Sequence, residues 1–168
     1  MSKVTIRVPA TTANLGPGFD AFGCALSLYT DVTFEETDCG LEITGCDEEF
    51  TGPDNLAYTA YCAVLNTMSE EIRGVKIHID AHIPICRGLG SSAALLVAGA
   101  MGANVLRGNK LSTQGLLNIT NAMEGPPGQP GPGLLRRPHR LYGRRRSAGV
   151  RQLPPPPRLG ISGTGAGI

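Results

Sequence analysis

Residues 82–100, "HIPICRGLGSSAALLVAGA", decide how this chain folds. An alternating, β-branched run, "GVKIHIDAHIP" (74–84), leads into them and reads as a strand ending at Pro84. A glycine-rich turn follows, and two serines open an apolar run that reads as a helix closing near Gly108. Gly88 and Gly90 carry no Cβ, so main-chain N–H groups there can approach a bulky anion closely. The helix start adds several unpaired N–H donors and roughly half a positive charge. Together these features describe a phosphate cradle. Ser91 and Ser92 either cap the helix or offer a hydroxyl to a phosphate-bound Mg²⁺, which favours hard oxygen ligands. The lysine of a G-K-[ST] phosphate loop is absent. On its residues alone the stretch is equally a capped helix after a tight turn.

Working outward, "KVTIRVPA" (3–10) alternates and reads as a first strand, and "TTANLGPGFDAFG" (11–23) as a glycine-rich loop. "ALSLYTDVTFEET" (25–37) returns to strand alternation, with "GLEITGC" (40–46) as its hairpin or meander partner. "PDNLAYTAYCAVLNTMSEE" (53–71) reads as a helix with Pro53 and Asp54 in its first turn. Leu56, Ala60, Ala63 and Val64 fall on one face of it. "LSTQGLLNITNAMEG" (111–125) reads as a last helix capped by Ser112; Gly115 stands where a capping box needs Glu or Gln. Strands interleaved with helices imply an α+β fold with a largely antiparallel sheet.

The charge is unevenly spread. Residues 1–124 hold 7 Lys+Arg against 14 Asp+Glu, a balance of −7. Residues 125–168 hold 8 Arg and no acid, a balance of +8, and 9 Pro and 10 Gly make up nearly half of them. Only the first part has the composition of a folded domain. The five cysteines show no C-x-x-C spacing and are expected to be free thiols in a reducing compartment. No run is apolar and long enough for a signal peptide or a membrane span, so a soluble, cytoplasmic protein is expected. His78 and His82 would share one side of a strand as surface residues rather than metal ligands. Met68, Met101 and Met123 suit core filling, and no Ser/His/Asp triad can be assembled.

Two motifs together carry a resemblance. Pro84, Gly88, Leu89, Gly90, Ser91, Ser92, Ala93 and Ala94 fill the pattern P-x-x-x-G-L-G-S-S-A-A, which resembles the nucleotide loop of the GHMP kinases. "VPATTANLGPGFDAFGCAL" (8–26) is similar to the first motif of the homoserine kinases within that superfamily, while another GHMP small-molecule kinase stays open as an alternative. The resemblance implies an α+β kinase N-terminal domain over 1–124, similar to a domain of a small-subunit ribosomal protein. It implies ATP and Mg²⁺ as cofactors and L-homoserine as a small-molecule substrate. No specific nucleic acid and no membrane is implied as a partner, and the intact family allows a homodimer. Asn14 and Asp20 would hold the amino-acid end. Pro84, Ile85, Cys86, Arg87, Gly88, Leu89, Gly90, Ser91, Ser92, Ala93 and Ala94 would wrap the ATP phosphates, with Asn55 of "GPDNLAY" near the adenine. Ser92 and Glu124 would ligate the metal, and no catalytic residue is assigned.

The resemblance stops at Glu124-Gly125. There the family continues E-G-H-x-D-N and P-A-x-x-G-G-x-T, whereas this chain runs "PPGQPGPGLLRRPHRLY". With a permitted choice of synonymous codons, "GPPGQPGPGLLRRPHRL" read one base later becomes GHPDNRDPAFFGGLTA, which restores the pattern. "RLGISGTGAG" (158–167) likewise becomes DLEFLALVP, a plausible buried strand. Residues from about 126 onward are therefore expected to be a frameshift product, and 125–168 a disordered Pro/Gly/Arg-rich tail with no nucleic-acid role. The chain itself is expected to be an inactive, truncated form. Sequencing the gene checks this: an alternative frame encoding the E-G-H-x-D-N continuation is expected, and coding DNA without that frame removes the explanation.

Overall fold

The computed structural model describes residues 2–12, 23–85 and 87–124. The candidates Asn14, Asp20 and Cys86, and the tail from residue 125, lie outside the described residues. Four strands form one sheet: β1 (Lys3–Thr12), β2 (Cys24–Thr37), β3 (Leu41–Thr44) and β4 (Gly74–Ala81), in the order β1-β2-β4-β3. Three helices complete the fold: α1 (Leu56–Thr67), α2 (Ser91–Leu106) and α3 (Thr113–Glu124).

The β1–β2 and β2–β4 pairs are antiparallel, as expected. The expected hairpin between β2 and β3 does not form. β3 pairs with β4 instead, in parallel, with Ile43 opposite Ile77. The reason lies in the connection: β3 reaches β4 through α1, the crossover that a parallel neighbour requires. β4 therefore sits between β2 and β3, and its Val75, Ile77 and Ile79 side chains are almost fully buried. β4 also ends three residues before Pro84, so His82 is off the strand, although its ring stays 3.6 Å from the Asp80 carboxylate.

Period-two alternation gives the sheet one apolar and one polar face. Val4, Ile6, Val8, Val32 and Phe34 turn toward the helices and are buried. On the other face, register aligns whole rows. Lys3 lies opposite Glu35, Glu35 opposite Lys76, and Lys76 opposite Glu42, so charge alternates across all four strands. The next row is Thr5, Thr33, His78 and Thr44, joined by a Thr5–Thr33 hydroxyl bond of 2.8 Å and a Thr44–His78 bond of 3.0 Å. Beyond it, Arg7 donates twice to Asp31, at 2.8 and 2.6 Å.

Asn55, not Pro53 or Asp54, starts α1: its side-chain oxygen accepts from the amides of Ala57 and Tyr58, a standard capping solution for two orphan donors. That start turns Leu56 outward, to 37 % exposure, while Ala57, Ala60, Tyr61, Val64 and Leu65 form the buried face. Tyr61 stacks on Phe34, with ring centroids 5.6 Å apart. Burial first, with Glu36 adding to it, pushes the Tyr61 phenol up to about 12.

α1 and α2 run parallel. A Cβ on Gly99 would overlap the carbonyl oxygen of Ala57 and stand 2.8 Å from its carbonyl carbon. At the other end Arg107, after α2, pairs with Glu36 and Glu70, and Lys110 also pairs with Glu70. Buried Asn104 then closes the connection to α3, donating to the Leu111 carbonyl at 3.0 Å and accepting from its amide at 2.9 Å. The Ser112 hydroxyl accepts from the Gly115 amide at 3.2 Å, as its capping role requires.

Gly99→Ala is expected to lower stability by about 1–3 kcal/mol, the usual cost of overpacking. Gly115→Ala, where the nearest atoms lie 3.6 Å or more from the added carbon, is expected to gain about 0.5–1 kcal/mol through helix propensity. Urea midpoints of the two variants check both signs. A pH series tests the Arg7–Asp31 pair. The hydrogen bond from Arg7 holds the Asp31 carboxyl below its ordinary value. Its contribution is therefore present above the unfolded carboxylate range, near pH 4, and fades as pH falls through the folded value. Asp31→Asn is expected to cost less than about 1 kcal/mol at pH 7, because the pair is exposed, with the difference shrinking as pH falls below the ordinary carboxylate range. Chemical denaturation across that range measures it.

Candidate functional site

The glycine turn and the start of α2 sit at the end of the sheet where β1 and β4 finish. Ile83 is buried and anchors the turn, whereas Pro84, Ile85, Arg87 and Gly88 are exposed and Leu89 packs partly on the core. Neither serine caps the helix, which corrects one of the two expected serine roles. The cap is Gly90, at φ 70° and ψ 30°, and it brings no side-chain acceptor. The first bond inside the helix runs from the Ala94 amide to the Gly90 carbonyl at 2.9 Å. The amides of Ser91, Ser92 and Ala93 therefore have no acceptor within the helix. Ala94 is buried, Ser91 and Ala93 are half-buried, and Ser92 is exposed.

The result is a helix end of backbone donors with the helix dipole behind it and the exposed Ser92 on its first turn. A Cβ on Gly88 would meet no described residue within 4 Å. Gly90 is closed in: a Cβ there would overlap the Thr11 hydroxyl and stand 3.3 Å from the Thr11 carbonyl oxygen.

Asn55 is buried at 4 % exposure, and its amide also donates to the Phe50 carbonyl at 2.8 Å. One side-chain amide hydrogen is left for any further partner. Glu124, the last residue of α3, is exposed. Among the described residues no group of three or more His, Cys, Asp or Glu side chains is arranged to hold a metal ion. Burial raises the Cys46 and Cys62 thiols, so neither is an activated nucleophile. No helix among the described residues is long and apolar enough to cross a membrane.

Two shallow hollows among the described residues lie elsewhere. One is over the polar sheet face, between Lys3, Glu35, Lys76 and Glu42; the other lies between residues 38–41, Tyr58 and residues 71–74. The first is lined by charges that already pair with one another, Lys3 with Glu35 at 3.5 Å and Lys76 with Glu42 at 2.8 Å. Neither matches the donor set at the start of α2. Sequence reasoning missed Thr11 and Asn104. No local signal singles out Thr11, and Asn104 reads as an ordinary polar residue until its helix is known to be buried.

Residues 55–133 match the family described as GHMP kinases N terminal domain. The homoserine kinase of Trichodesmium erythraeum is 42% identical over 141 residues, covering 80% of this chain and 46% of that protein. The homoserine kinase of Clostridium beijerinckii is 44% identical over 133 residues, covering 79% and 45%. The crystal structure of homoserine kinase from Cytophaga hutchinsonii superposes with a TM-score of 0.65 at 33% identity, over 74% of this chain and 41% of that one. The chain thus spans about half the length of the curated relatives it matches. With its sheet, its glycine turn and the helix that follows, the chain carries the N-terminal domain of a GHMP kinase.

Proposed function

We propose that this chain supplies the nucleotide-binding half of an ATP- and Mg²⁺-dependent homoserine kinase. That reaction moves the γ-phosphoryl group of ATP to the hydroxyl of L-homoserine, a step of threonine biosynthesis carried out in the cytoplasm. One observation carries the reading: a glycine-capped helix start with three amides lacking helix acceptors, beside a turn in which Gly88 has no described residue within 4 Å of an added Cβ. That donor set suits phosphate oxygens in number and in sign.

The helix arrangement supports the remaining roles. Ala57 meets α2 at Gly99, eight residues from Ser91, so the start of α1 lies about 12 Å along α2 from the phosphate end. That is a suitable span for the base of an extended nucleotide and gives Asn55 its part in adenine contact. From Asn104 the chain turns back through residues 107–112, and twelve residues of α3 return it by about 18 Å. On this reading α3 runs back along α2 and Glu124 would come level with its first turn, where Ser92 stands. The two are the hard oxygen donors for Mg²⁺, and bound Mg²⁺ neutralises phosphate charge. The Ser91–Ala93 amides orient the phosphates, and Arg87 reaches them from the turn. Asn14 and Asp20 hold the amino acid's charged end. The catalytic contribution of these residues is positioning and charge stabilisation.

With no catalytic residue assigned on it, the chain by itself is expected to bind nucleotide without turning it over. Thermal melts with and without ATP·Mg²⁺, run beside an ADP-release assay with L-homoserine, test both statements. Saturation at a hundredfold over the dissociation constant stabilises by about 2.7 kcal/mol, a shift of several degrees. An unchanged melt at millimolar nucleotide removes the binding role, and sustained homoserine-dependent ADP release removes the inactivity. Ser92→Ala is expected to weaken Mg²⁺-dependent ATP binding about tenfold, with the urea midpoint unchanged. Titration calorimetry with and without Mg²⁺ provides the comparison.

A further inference from the structure

Thr11 stands where β1 meets the glycine turn, and no function described above uses it. Pairing of β1 with β2 is regular from Lys3 opposite Glu35 to Pro9 opposite Tyr29. It then jumps, with Thr11 opposite Ala25. Two steps on β1 are matched by four on β2, a bulge that bends the strand end and re-aims it. On the open edge of β1 the Thr11 amide donates to the Leu89 carbonyl at 3.0 Å. Its side chain lies against the bare Cα of Gly90, the residue that caps α2. One residue beyond Thr12 the chain enters 13–22, which carries Asn14 and Asp20.

We propose that Thr11 is a positioning residue: its amide and side chain set the conformation of the Leu89–Gly90 turn and thereby aim the α2 amides at the phosphates. This rests on the nucleotide reading above and adds to it a joint between the strand that leads to Asn14 and the turn that leads to Ser92. Gly90 holds a left-handed conformation that other residues adopt at a cost. The Thr11 hydroxyl and carbonyl oxygen lie where a Cβ on Gly90 would stand.

The test is a double-mutant cycle on the full chain: wild type, Thr11→Ala, Gly90→Ala and the pair, each titrated with ATP·Mg²⁺ by calorimetry. Thr11→Ala is expected to weaken binding about threefold and Gly90→Ala at least tenfold. The double variant is expected to bind more tightly than Gly90→Ala alone, because removing the hydroxyl makes room for the new methyl. Thr11→Ser keeps both groups and is expected to stay within twofold of wild type. Simple multiplication of the two losses, or a Thr11→Ser loss as large as that of Thr11→Ala, overturns the proposal. Hydrogen exchange gives a readout independent of nucleotide. In Thr11→Ala the amides of residue 11 and Ala94 are expected to exchange at least tenfold faster, with Ile77 unchanged. Unaltered exchange at both overturns the proposal even if the wild-type chain binds no nucleotide, a result that would by itself count only against the phosphate reading.

Discussion

Everything in this fold depends on how closely α2 can be packed. The helix is apolar on nearly every side, and it meets β1, β2, α1 and α3. Gly99 brings it against the backbone of Ala57, and Gly102 sets it against the ring of Phe34, where a Cβ would stand 2.5 Å from Cδ2. A helix held at that range cannot slide along its axis or rotate without backbone overlap. Its first turn is thus placed by contacts made two and three turns further along. The anion-binding end gains its rigidity from the core and not from the turn itself.

The electrostatics divide along the same plane. The sheet face turned away from the helices has its charges paired in register, so a two-residue slip of any strand would break several matches at once. The helical side instead concentrates its polar groups at two ends. At one end Arg107 holds Glu36 and Glu70 together; burial pulls its guanidinium down, but the hydrogen bond to Glu36 and the nearby carboxylates raise it overall. At the other end the donors of α2 have no acceptor in the helix. One end is satisfied and ties the layers together. The opposite end is left with donors to spare, which is what a site for an external anion requires.

Much of this was legible in the sequence because it follows from local period. The alternation of β1, β2 and β4 and the extents of α2 and α3 are properties of short windows, and so is the glycine-serine signature. What was not legible depends on distance. The partner of β3 could not be read, because a three-residue link suggests a hairpin while the longer crossover through α1 decides the pairing. The outward turn of Leu56 depended on Asn55 taking the cap, and Asn55 does so because the Phe50 carbonyl behind it needs a donor. The serines resembled caps because serine often is one. In the fold Gly90 takes that position, since only a residue without a side chain fits against Thr11.

The missing cap is also the feature that connects folding to chemistry. No capping side chain can stand at position 90 in this conformation, because a Cβ there would overlap the Thr11 hydroxyl, so the first amides of α2 keep no side-chain acceptor from the cap. A capping oxygen would in any case occupy the donors that a phosphate needs. Leaving the end uncapped costs some stability in the free chain and keeps its amides available for an anion. Phosphoryl transfer asks little covalent work of the protein and much alignment. A domain can therefore hold a large part of such a reaction's machinery without an activated nucleophile, provided its donors are fixed before the ligand arrives. The burial of α2 fixes them in direction, and the contact of Thr11 with Gly90 fixes where they begin.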